Sequence, residues 1–329
     1  MKIYDNYSLK GLNTFGIDVK ARRVMVVEPD DEILPMDGEK LLLGGGSNMV
    51  FTKDYDGTIM MLSHVVSASF SAYVSKVDSN NESDTPLVTA WGGMVMDELV
   101  QWTLDQGLYG LENLSAIPGT VGASAVQNVG AYGVEAKDFI ERVEAYDLQK
   151  HCHCAFSNAD CRFAYRDSFF KHHPGRFLIL RVTYRLSCEY VPNLGYKTLE
   201  GLSHDTAQHL RAAITELRWS KLPRPEENGS AGSFFKNPVV DEVLATQLKT
   251  EHPDMPLYPG NKLSAGWLID QCGWKGKTLG RAGVWPKNAL VLYNTGGCTG
   301  DEVVALAEAI KKDVKHKFGV VLDPEAIII

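Results

Sequence analysis

The chain has 329 residues, a formal net charge of −8 and 44% hydrophobic residues. The apolar share is ordinary for a globular protein, and the length predicts two or three domains. The acidic charge without a basic stripe disfavours nucleic acid as a partner, and the lack of a membrane-length apolar run or a secretory signal predicts a cytoplasmic protein with no membrane contact.

The first predicted elements flank a run of glycines. Residues 39–51 (EKLLLGGGSNMVF) predict a short buried strand, a glycine turn and a second strand. Residues 76–86 (KVDSNNESDTP) lie between two strand-like runs and predict the exposed polar loop of a hairpin. Residues 96–107 predict a helix that stops at Gly107. The inward face of this helix comprises Met96, Leu99, Val100, Thr103 and Leu104.

The cysteines raise the question of a metal site. Six cysteines in a chain of this length indicate reduced thiols rather than a disulfide framework. The segment 151–156 (HCHCAF) resembles part of a zinc site, but Cys152 and Cys154 stand one residue apart and no second pair has a standard gap. We therefore expect no metal here, and a polar, partly exposed turn.

The second half of the chain mixes strands and helices without regular alternation. Residues 139–147 and 177–186 are strand-like. Residues 205–219 predict a helix capped by Asp205, with Ala207, Leu210, Ile214 and Leu217 facing inward. Residues 241–253 predict a short helix that stops near Pro253.

The C-terminal part completes an α+β pattern. Residues 300–319 predict the clearest helix, which ends at Gly319 and has the apolar stripe Val303, Val304, Ala307, Ile310 and Val314. Residues 320–329 predict a strand interrupted by Asp323-Pro324-Glu325. Because strands and helices do not follow each other as regular βαβ units, the fold class is α+β.

Two glycine-dense segments indicate a ligand. They are residues 44–48 (GGGSN) and residues 116–133 (AIPGTVGASAVQNVGAYG). Glycines let backbone amides approach a ligand and hold anions. Neither a dinucleotide fingerprint nor a P-loop fits the glycine spacing here. Two such segments, low in charge, favour one long ligand such as a pyrophosphate that spans two small domains.

Ser233 stands out in residues 229–238 (GSAGSFFKNP). With Lys236 it spells the acylating S-x-x-K motif, but Pro238 opposes the helix which that motif needs, and the companion triplets are missing. The nucleophile elbow fails as well. The remaining readings are a turn serine beside a strand with buried aromatics, or a functional hydroxyl.

Several long motifs occur in order along nearly the whole chain. With them the chain closely resembles the UDP-N-acetylenolpyruvoylglucosamine reductase family, cytosolic bacterial FAD enzymes of peptidoglycan synthesis. The motifs are NTFGID (13–18), GGGSN (44–48), GLENLSAIPGTVGASAVQNVGAYG (110–133), CRFAYRDSFFK (161–171), AGSFFKNP (231–238), GWLIDQCGWKG (266–276) and LDPE (322–325).

The resemblance implies a three-domain flavoenzyme that uses NADPH. Residues 1–65 with 321–329, and residues 66–205, would form a two-part FAD region of the vanillyl-alcohol-oxidase type. Residues 206–320 would form an α+β substrate domain. Residues 193–202 resemble the tyrosine-bearing insert of the longer subtype. Departures from the family pattern are Gly45 in place of a common acidic residue, LDPE in place of LEPE, and Asn288 where glutamine is frequent.

The resemblance also implies a catalytic trio. Arg166 would bind the substrate carboxylate, because a guanidinium binds carboxylate in a fork. Ser233 would give a proton to substrate carbon 2, and Glu325 would donate a hydrogen bond to the enolate. Taken alone, Arg166 also fits a surface ion pair with Asp167, and Glu325 fits a turn after Pro324.

The remaining residues implied by the resemblance are binding residues. The expected ligands are FAD, NADPH and UDP-N-acetylenolpyruvoylglucosamine, with a monomer as the expected state. The competing interpretations are another FAD oxidoreductase of the same fold and a non-catalytic UDP-sugar or flavin-binding protein. The cofactor residues are Gly44, Gly45, Gly46, Ser47, Asn48, Met49, Ile117, Pro118, Gly119, Ala123, Val126, Asn128 and Gly130. The substrate residues are Tyr132, Tyr196, Lys221, Asn237, Tyr258, Lys262 and Asn288.

Overall fold

The computed structural model describes residues 1–33, 35, 38–64, 72–75 and 85–329. Its chain divides into two compact units. Unit 1 comprises Met1–Tyr7, Ala21–Gly45 and Asp56–Arg218, and unit 2 comprises Ser8–Lys20, Gly46–Tyr55 and Trp219–Ile329. The three-domain division implied by the resemblance stays a prediction.

The described part of the chain mixes short strands and helices, as the α+β prediction requires. The strands are β1 (Lys2–Ser8), β2 (Lys20–Val27), β3 (Lys40–Leu42), β4 (Met49–Val50), β5 (Tyr55–Leu62), β6 (Ala72–Ser75), β7 (Leu87–Trp91), β8 (Gly130–Ala131), β9 (Val134–Glu135), β10 (Ile140–Asp147), β11 (Cys152–Ser157), β12 (Phe177–Arg185), β13 (Ser230–Ser233), β14 (Leu257–Tyr258), β15 (Lys262–Leu263), β16 (Thr278–Leu279), β17 (Ala282–Val284), β18 (Val291–Asn294) and β19 (Ile327–Ile328). The helices are α1 (Met96–Asp105), α2 (Val121–Gln127), α3 (Ala207–Lys221), α4 (Glu242–Glu251), α5 (Ala265–Gln271) and α6 (Gly300–Phe318).

Unit 1 is built on two sheets. One has the strand order β1-β2-β5-β3, and the other has the order β11-β10-β12-β7-β6 with antiparallel neighbours throughout. In β10, Val143 and Ala145 are buried whereas Arg142 and Glu144 are not, which is the alternation of a strand with one covered face. The hairpin predicted around residues 76–86 is consistent with the β6–β7 pairing, but its loop at 76–84 lies outside the described residues.

Helices α1 and α2 cover the inner face of the five-stranded sheet. Their buried side chains join those of β7, β10 and β12 in one apolar cluster. The α1 prediction is confirmed, since Met96, Leu99, Val100, Thr103 and Leu104 are its buried residues. The helix ends before Gly107, whose φ is +69°. A second cluster, which includes Met60, Trp91 and Tyr146, packs residues of both sheets together.

Unit 2 contains the antiparallel sheet β13-β18-β17-β16 and three helices. Helix α6 begins with a capping box between Thr299 and Glu302 and ends at Gly319, whose φ is +70°, as the sequence predicts. Helix α5 buries Leu268 and Ile269. Unit 2 also contains the parallel strand pair β4–β19.

Four predictions about local structure are wrong in detail. The cap of α3 is Thr206, whose hydroxyl accepts from the amide of His209 at 3.1 Å, and not Asp205. Residues 152–157 form an edge strand paired with β10 rather than a turn, because backbone pairing needs no apolar pattern on an exposed edge. In α6 the fully buried stripe contains Leu306, whereas Val304 is half-buried. Of residues 320–329, only Ile327–Ile328 form a strand.

Candidate functional site

The two glycine-dense segments meet inside unit 1. A Cβ atom added to Gly44 would lie 2.8 Å from the Cβ of Ala123 and 2.9 Å from Oγ1 of Thr120. A Cβ atom added to Gly45 would lie 3.0 Å from the Cα of Gly119. Only glycine permits such close backbone approach, and we call this packing of residues 44–45 against residues 119–123 the glycine cradle. The two segments therefore lie side by side in unit 1, and the prediction that both serve one ligand stays a prediction.

Helix α2 lies within the second of these segments. Ile117, Pro118 and Gly119 lead into it, and its cap Thr120 accepts from the amide of Ala123 at 3.3 Å. At the other end, Val126 and Asn128 have structural contacts of their own. The carbonyl of Val126 accepts from Ser168 Oγ at 2.7 Å, and Asn128 Nδ2 donates to the carbonyl of Ala164 at 2.8 Å.

The glycine run continues into unit 2. Gly46 has a φ of +62°, and a Cβ atom on it would lie 2.0 Å from the carbonyl oxygen of Leu12. Asn48 Nδ2 donates to the carbonyl of Glu325 at 3.1 Å, and Met49 pairs with Ile327 across the β4–β19 ladder. Ser47 lies between Gly46 and Asn48 in the chain. Residues 48 and 49, at the end of the glycine run, therefore pair with residues 325 and 327, at and just after the LDPE segment.

Arg166 lies at the tip of a tight turn in unit 1. The amides of Ala164 and Asp167 each donate to the other residue's carbonyl, at 3.0 and 3.1 Å. Arg166 has a φ of +54°, a conformation that costs a non-glycine residue about 1–3 kcal/mol and is held only by its surroundings. Its Nη2 donates to the carbonyl of Gly130 at 2.8 Å. Asp167, the partner proposed for a surface ion pair, lies 2.8 Å from Nε2 of His172.

The position of Arg166 also explains why residue 130 is a glycine. A Cβ atom there would lie 3.2 Å from Nη1 of Arg166 and 2.7 Å from the carbonyl oxygen of Val134. The missing side chain thus leaves room for the guanidinium group.

Tyr132 and Tyr196 are brought together in unit 1. Their ring centroids lie 5.8 Å apart with an interplanar angle of 82°. Asn113, which is 2% exposed, donates through Nδ2 to the carbonyls of Tyr132 and Asn193, both at 2.9 Å. Tyr196 is 42% exposed. A buried amide therefore connects the loop that carries Tyr196 to Tyr132.

Arg218 is a further cation in this region that the sequence prediction missed. Its Nε donates to the carbonyl of Ala116 at 3.2 Å, and the amide of Ala116 donates to Asp97 Oδ1 at 2.6 Å. Arg218 also hydrogen-bonds to Tyr132. Burial lowers the pKa of Arg218, and the neighbouring positive charge of Arg166 acts in the same direction. The spacing along α3 could have indicated that Arg218 faces inward, since it follows the buried Leu210 and Ile214 at intervals of four residues.

Ser233 is the last residue of β13 in unit 2. The pairing of β13 with β18 shifts register between Ser230 and Ser233, and Gly232 has a φ of +67°. This is a β-bulge, which changes the direction of the strand and re-aims the next side chain. Phe234 and Phe235 are both buried and lie in contact at 5.1 Å between ring centroids. Ser233 therefore lies within a bulged strand and not in a turn beside one, whereas the buried aromatics of that interpretation are present.

Backbone pairing connects the Ser233 segment to Glu325. The amide of Glu325 donates to the carbonyl of Phe234 at 2.8 Å, and the amide of Lys236 donates to the carbonyl of Asp323 at 3.0 Å. Two predicted trio residues, Ser233 and Glu325, therefore come from paired segments of unit 2. Arg166, the third, belongs to unit 1.

The other predicted substrate residues of unit 2 lie on short turns and hairpins. Asn237 Oδ1 accepts from the amide of Ala265 at 3.0 Å, so part of this side chain serves the start of α5. Tyr258 pairs with Lys262 in the β14–β15 hairpin. Asn288 Oδ1 accepts from the amide of Leu290 at 3.1 Å within a turn. Lys221 is exposed at the end of α3.

The described residues contain neither a cluster of metal-binding side chains nor a membrane-spanning helix. No group of three or more His, Cys, Asp or Glu side chains among them is arranged to hold a metal ion. None of the helices in the described ranges is both long enough and apolar enough to cross a bilayer.

Known proteins match this chain along its whole length. Residues 224–329 match the family model "UDP-N-acetylenolpyruvoylglucosamine reductase, C-terminal domain", and residues 38–150 match "FAD binding domain". The UDP-N-acetylenolpyruvoylglucosamine reductase of Burkholderia ambifaria (strain MC40-6) is 42% identical over 100% of this chain and 97% of its own. That of Pseudomonas aeruginosa is 43% identical over 99% of this chain and 98% of its own.

A solved structure shares the fold. The reductase of the same name from Thermus caldophilus superposes with a TM-score of 0.67 at 24% identity, covering 99% of this chain and 98% of its own. The predicted α+β flavoenzyme fold is confirmed by this match and by the FAD-binding model.

Proposed function

This chain belongs to the UDP-N-acetylenolpyruvoylglucosamine reductase family, and we propose that it reduces the enolpyruvyl ether of UDP-N-acetylenolpyruvoylglucosamine to UDP-N-acetylmuramate. It is an FAD-dependent oxidoreductase of peptidoglycan synthesis. NADPH is the proposed electron donor, and the bacterial cytoplasm the proposed location. The observation that carries this function is identity above 40% over essentially the full length of both chains.

The glycine cradle fits FAD. The close approach of Gly44 and Gly45 to Gly119, Thr120 and Ala123 supports a binding surface made of main-chain groups, whose amides would hold the pyrophosphate. FAD would supply the hydride that the substrate accepts at carbon 3. Beyond this cradle, the proposed cofactor residues are Gly46, Ser47, Asn48, Met49, Ile117, Pro118, Val126, Asn128 and Gly130.

The trio would handle charge and proton transfer at the substrate. Arg166 would bind the substrate carboxylate and stabilise the negative charge that develops when hydride reaches carbon 3. Glu325 would donate a hydrogen bond to the enolate oxygen. The hydroxyl of Ser233 would then give its proton to carbon 2, which completes the addition of one hydride and one proton across the double bond. The bulge at Gly232 supports a specific orientation of that hydroxyl.

The diphosphate and uridine need cations and aromatic surfaces. Lys221 and Lys262 would neutralise phosphate charge, and the rings of Tyr196 and Tyr258 would cover the nucleotide-sugar. Tyr132, Asn237 and Asn288 would complete the substrate contacts. The exposure of Tyr196 and the buried Asn113 link behind it support a covering role.

The three-domain division implied by the family (1–65 with 321–329, 66–205, and 206–320) is retained for the full enzyme. A monomer is proposed because one chain carries every proposed cofactor, substrate and catalytic residue.

The absorption spectrum of the purified protein tests the function. We expect a yellow protein with bound oxidised FAD, which NADPH bleaches and UDP-N-acetylenolpyruvoylglucosamine restores under anaerobic conditions. A colourless protein that FAD does not reconstitute would contradict the assignment. Bleaching without reoxidation by the UDP-sugar would favour another FAD oxidoreductase, and bound flavin that NADPH never bleaches would favour a non-catalytic binding protein.

A further inference from the structure

The turn that carries Arg166 is fastened to one end of helix α2. Lys171 Nζ donates to the carbonyl of Arg166 at 2.8 Å and to Gln127 Oε1 at 2.9 Å. Ser168 Oγ donates to the carbonyl of Val126 at 2.7 Å. Both Val126 and Gln127 are in the last turn of α2, so the catalytic loop is bound to the helix at its C-terminal end.

We propose that Lys171 is the positioning residue for Arg166, and this inference rests on the function proposed above. The ammonium group contacts the backbone carbonyl of Arg166 itself, and not that of a neighbour in the turn. A charged donor makes a stronger hydrogen bond than a neutral one, and a cation is favourable at a helix C-terminus, where carbonyls point outward. Lys171 is half-buried, so water replaces its contacts poorly.

The backbone of Arg166 explains why such a contact is needed. Its φ of +54° is a conformation that an arginine does not hold by itself. The bond from Lys171 and the bond from Asn128 Nδ2 to the carbonyl of Ala164 hold the two sides of the turn. If the ammonium is removed, the turn is free to relax to negative φ, and the guanidinium direction changes with it.

Helix α2 connects this turn to the cofactor cradle. It follows Ile117–Gly119 directly, and its seven residues span about 10 Å at 1.5 Å per residue. One short helix therefore connects the proposed FAD contacts at residues 117–119 with the Arg166 anchor at Val126 and Gln127, and Val126 is itself a proposed FAD contact. Lys171 is the side chain that fixes the position of the catalytic arginine relative to this helix.

Lys171→Met tests the proposal, because methionine keeps the length and removes the charge and the donors. In anaerobic stopped-flow measurements, we expect FAD binding and flavin reduction by NADPH to stay near wild-type values. Reoxidation by UDP-N-acetylenolpyruvoylglucosamine should slow by roughly 10- to 100-fold, the size of effect expected from a misplaced catalytic group. Lys171→Arg should recover part of the loss. Lys150→Met, at an exposed lysine after β10, is the matched control and should leave both halves unchanged.

Hydrogen exchange of the same purified proteins gives a readout independent of turnover. In Lys171→Met, the peptide spanning residues 161–171 should exchange faster, because the amides of Ala164 and Asp167 close the turn. The peptide spanning α1 should be unchanged. Gln127→Leu removes one of the two acceptors and should show smaller changes in the same direction, which keeps the test open if Lys171→Met does not fold.

The outcomes separate this inference from the proposed function. Wild-type protein whose reduced flavin is not reoxidised by the UDP-sugar contradicts the function. Wild-type protein that turns over, with Lys171→Met equal to it in reoxidation rate or in exchange of the 161–171 peptide, overturns the role of Lys171. Equal slowing of both half-reactions overturns it as well, since positioning of Arg166 concerns only the half in which the substrate carboxylate is bound.

Discussion

Units 1 and 2 hold their proposed catalytic residues by different means. In unit 1, side chains reinforce the backbone-closed turn of Arg166, because Lys171 and Asn128 donate to carbonyls of that turn. In unit 2, Ser233 and Glu325 depend on backbone pairing and on a bulge at Gly232. A residue held by other side chains is sensitive to their removal and charge. A residue held by the backbone can lose its own side chain without moving its neighbours.

Ser233→Ala is the sharpest test of the unit 2 half of this comparison. Because the backbone sets the geometry, the variant should fold, bind FAD and accept electrons from NADPH as the wild type does. Flavin reoxidation by the UDP-sugar should slow by roughly 10²- to 10⁴-fold, as expected for a lost general acid. Anaerobic stopped-flow absorbance measures each half separately.

The thiol variant provides the control for that experiment. Ser233→Cys should recover part of the rate, since a thiol at the same place can still donate a proton. Equal slowing of both halves by Ser233→Ala, or intact reoxidation, would show that the hydroxyl is structural.

Asp147→Asn tests the dependence of unit 1 on charged side chains. Arg176, which donates to Oδ1 at 3.2 Å and to Oδ2 at 2.7 and 3.1 Å, lowers the pKa of this buried group to about 2. The folded pKa is below the ordinary value near 4, so the stabilisation is fully present above about pH 4 and is lost as the pH falls towards 2. At neutral pH the substitution should cost about 2 kcal/mol.

Urea unfolding followed at several pH values measures this effect. The difference in unfolding midpoint between wild type and Asp147→Asn should shrink as the pH falls from 4 to 2, since the protonated wild-type carboxyl also loses its charge. A difference that stays constant over that range would contradict the ion-pair explanation.

Gly232→Ala is the smallest change and tests the bulge. A Cβ atom at Gly232 meets nothing within 4 Å, so the cost is the positive φ alone, roughly 1 kcal/mol. Any relaxation of that φ turns Ser233, so reoxidation should slow by up to about tenfold. Gly107→Ala is a matched control in unit 1, with a φ of +69° and equally open surroundings. It should cost similar stability, measured by thermal unfolding, with no change in rate.

The sequence predicts best where burial creates a pattern. The face of α1 and the ends of α6 follow from apolar spacing and caps, and the structure agrees. The edge strand at residues 152–157 lacks that pattern because its outer residues face solvent. The glycine segments predict a shared ligand, but the sequence does not contain the distance at which Gly45 meets Gly119.

The candidate site likewise contains residues that the sequence identifies and residues that only the structure reveals. Long motifs identify Arg166, Ser233 and Glu325 as candidates, whereas the side chains that support Arg166 come from tertiary contacts. Arg218 illustrates the limit, since an arginine on an amphipathic helix is usually solvent-exposed, and only its place on the Leu210–Ile214 face indicates otherwise. Lys171 occurs within the CRFAYRDSFFK motif, but its two acceptors become visible only in the folded turn.

The pairing of β4 with the last residues of the chain has a consequence for synthesis on the ribosome. Thr52 bonds to the carbonyl of Ile329 through both its amide and its hydroxyl, across a separation of 277 residues. At about 5–20 residues per second, translation of that interval takes roughly 15 to 55 seconds. Unit 1 has time to fold in this interval, while residues 46–55 await their partner. The segment that carries Glu325 thus emerges after all of unit 1, so the proposed cofactor residues of unit 1 can fold before the three proposed catalytic residues are all present.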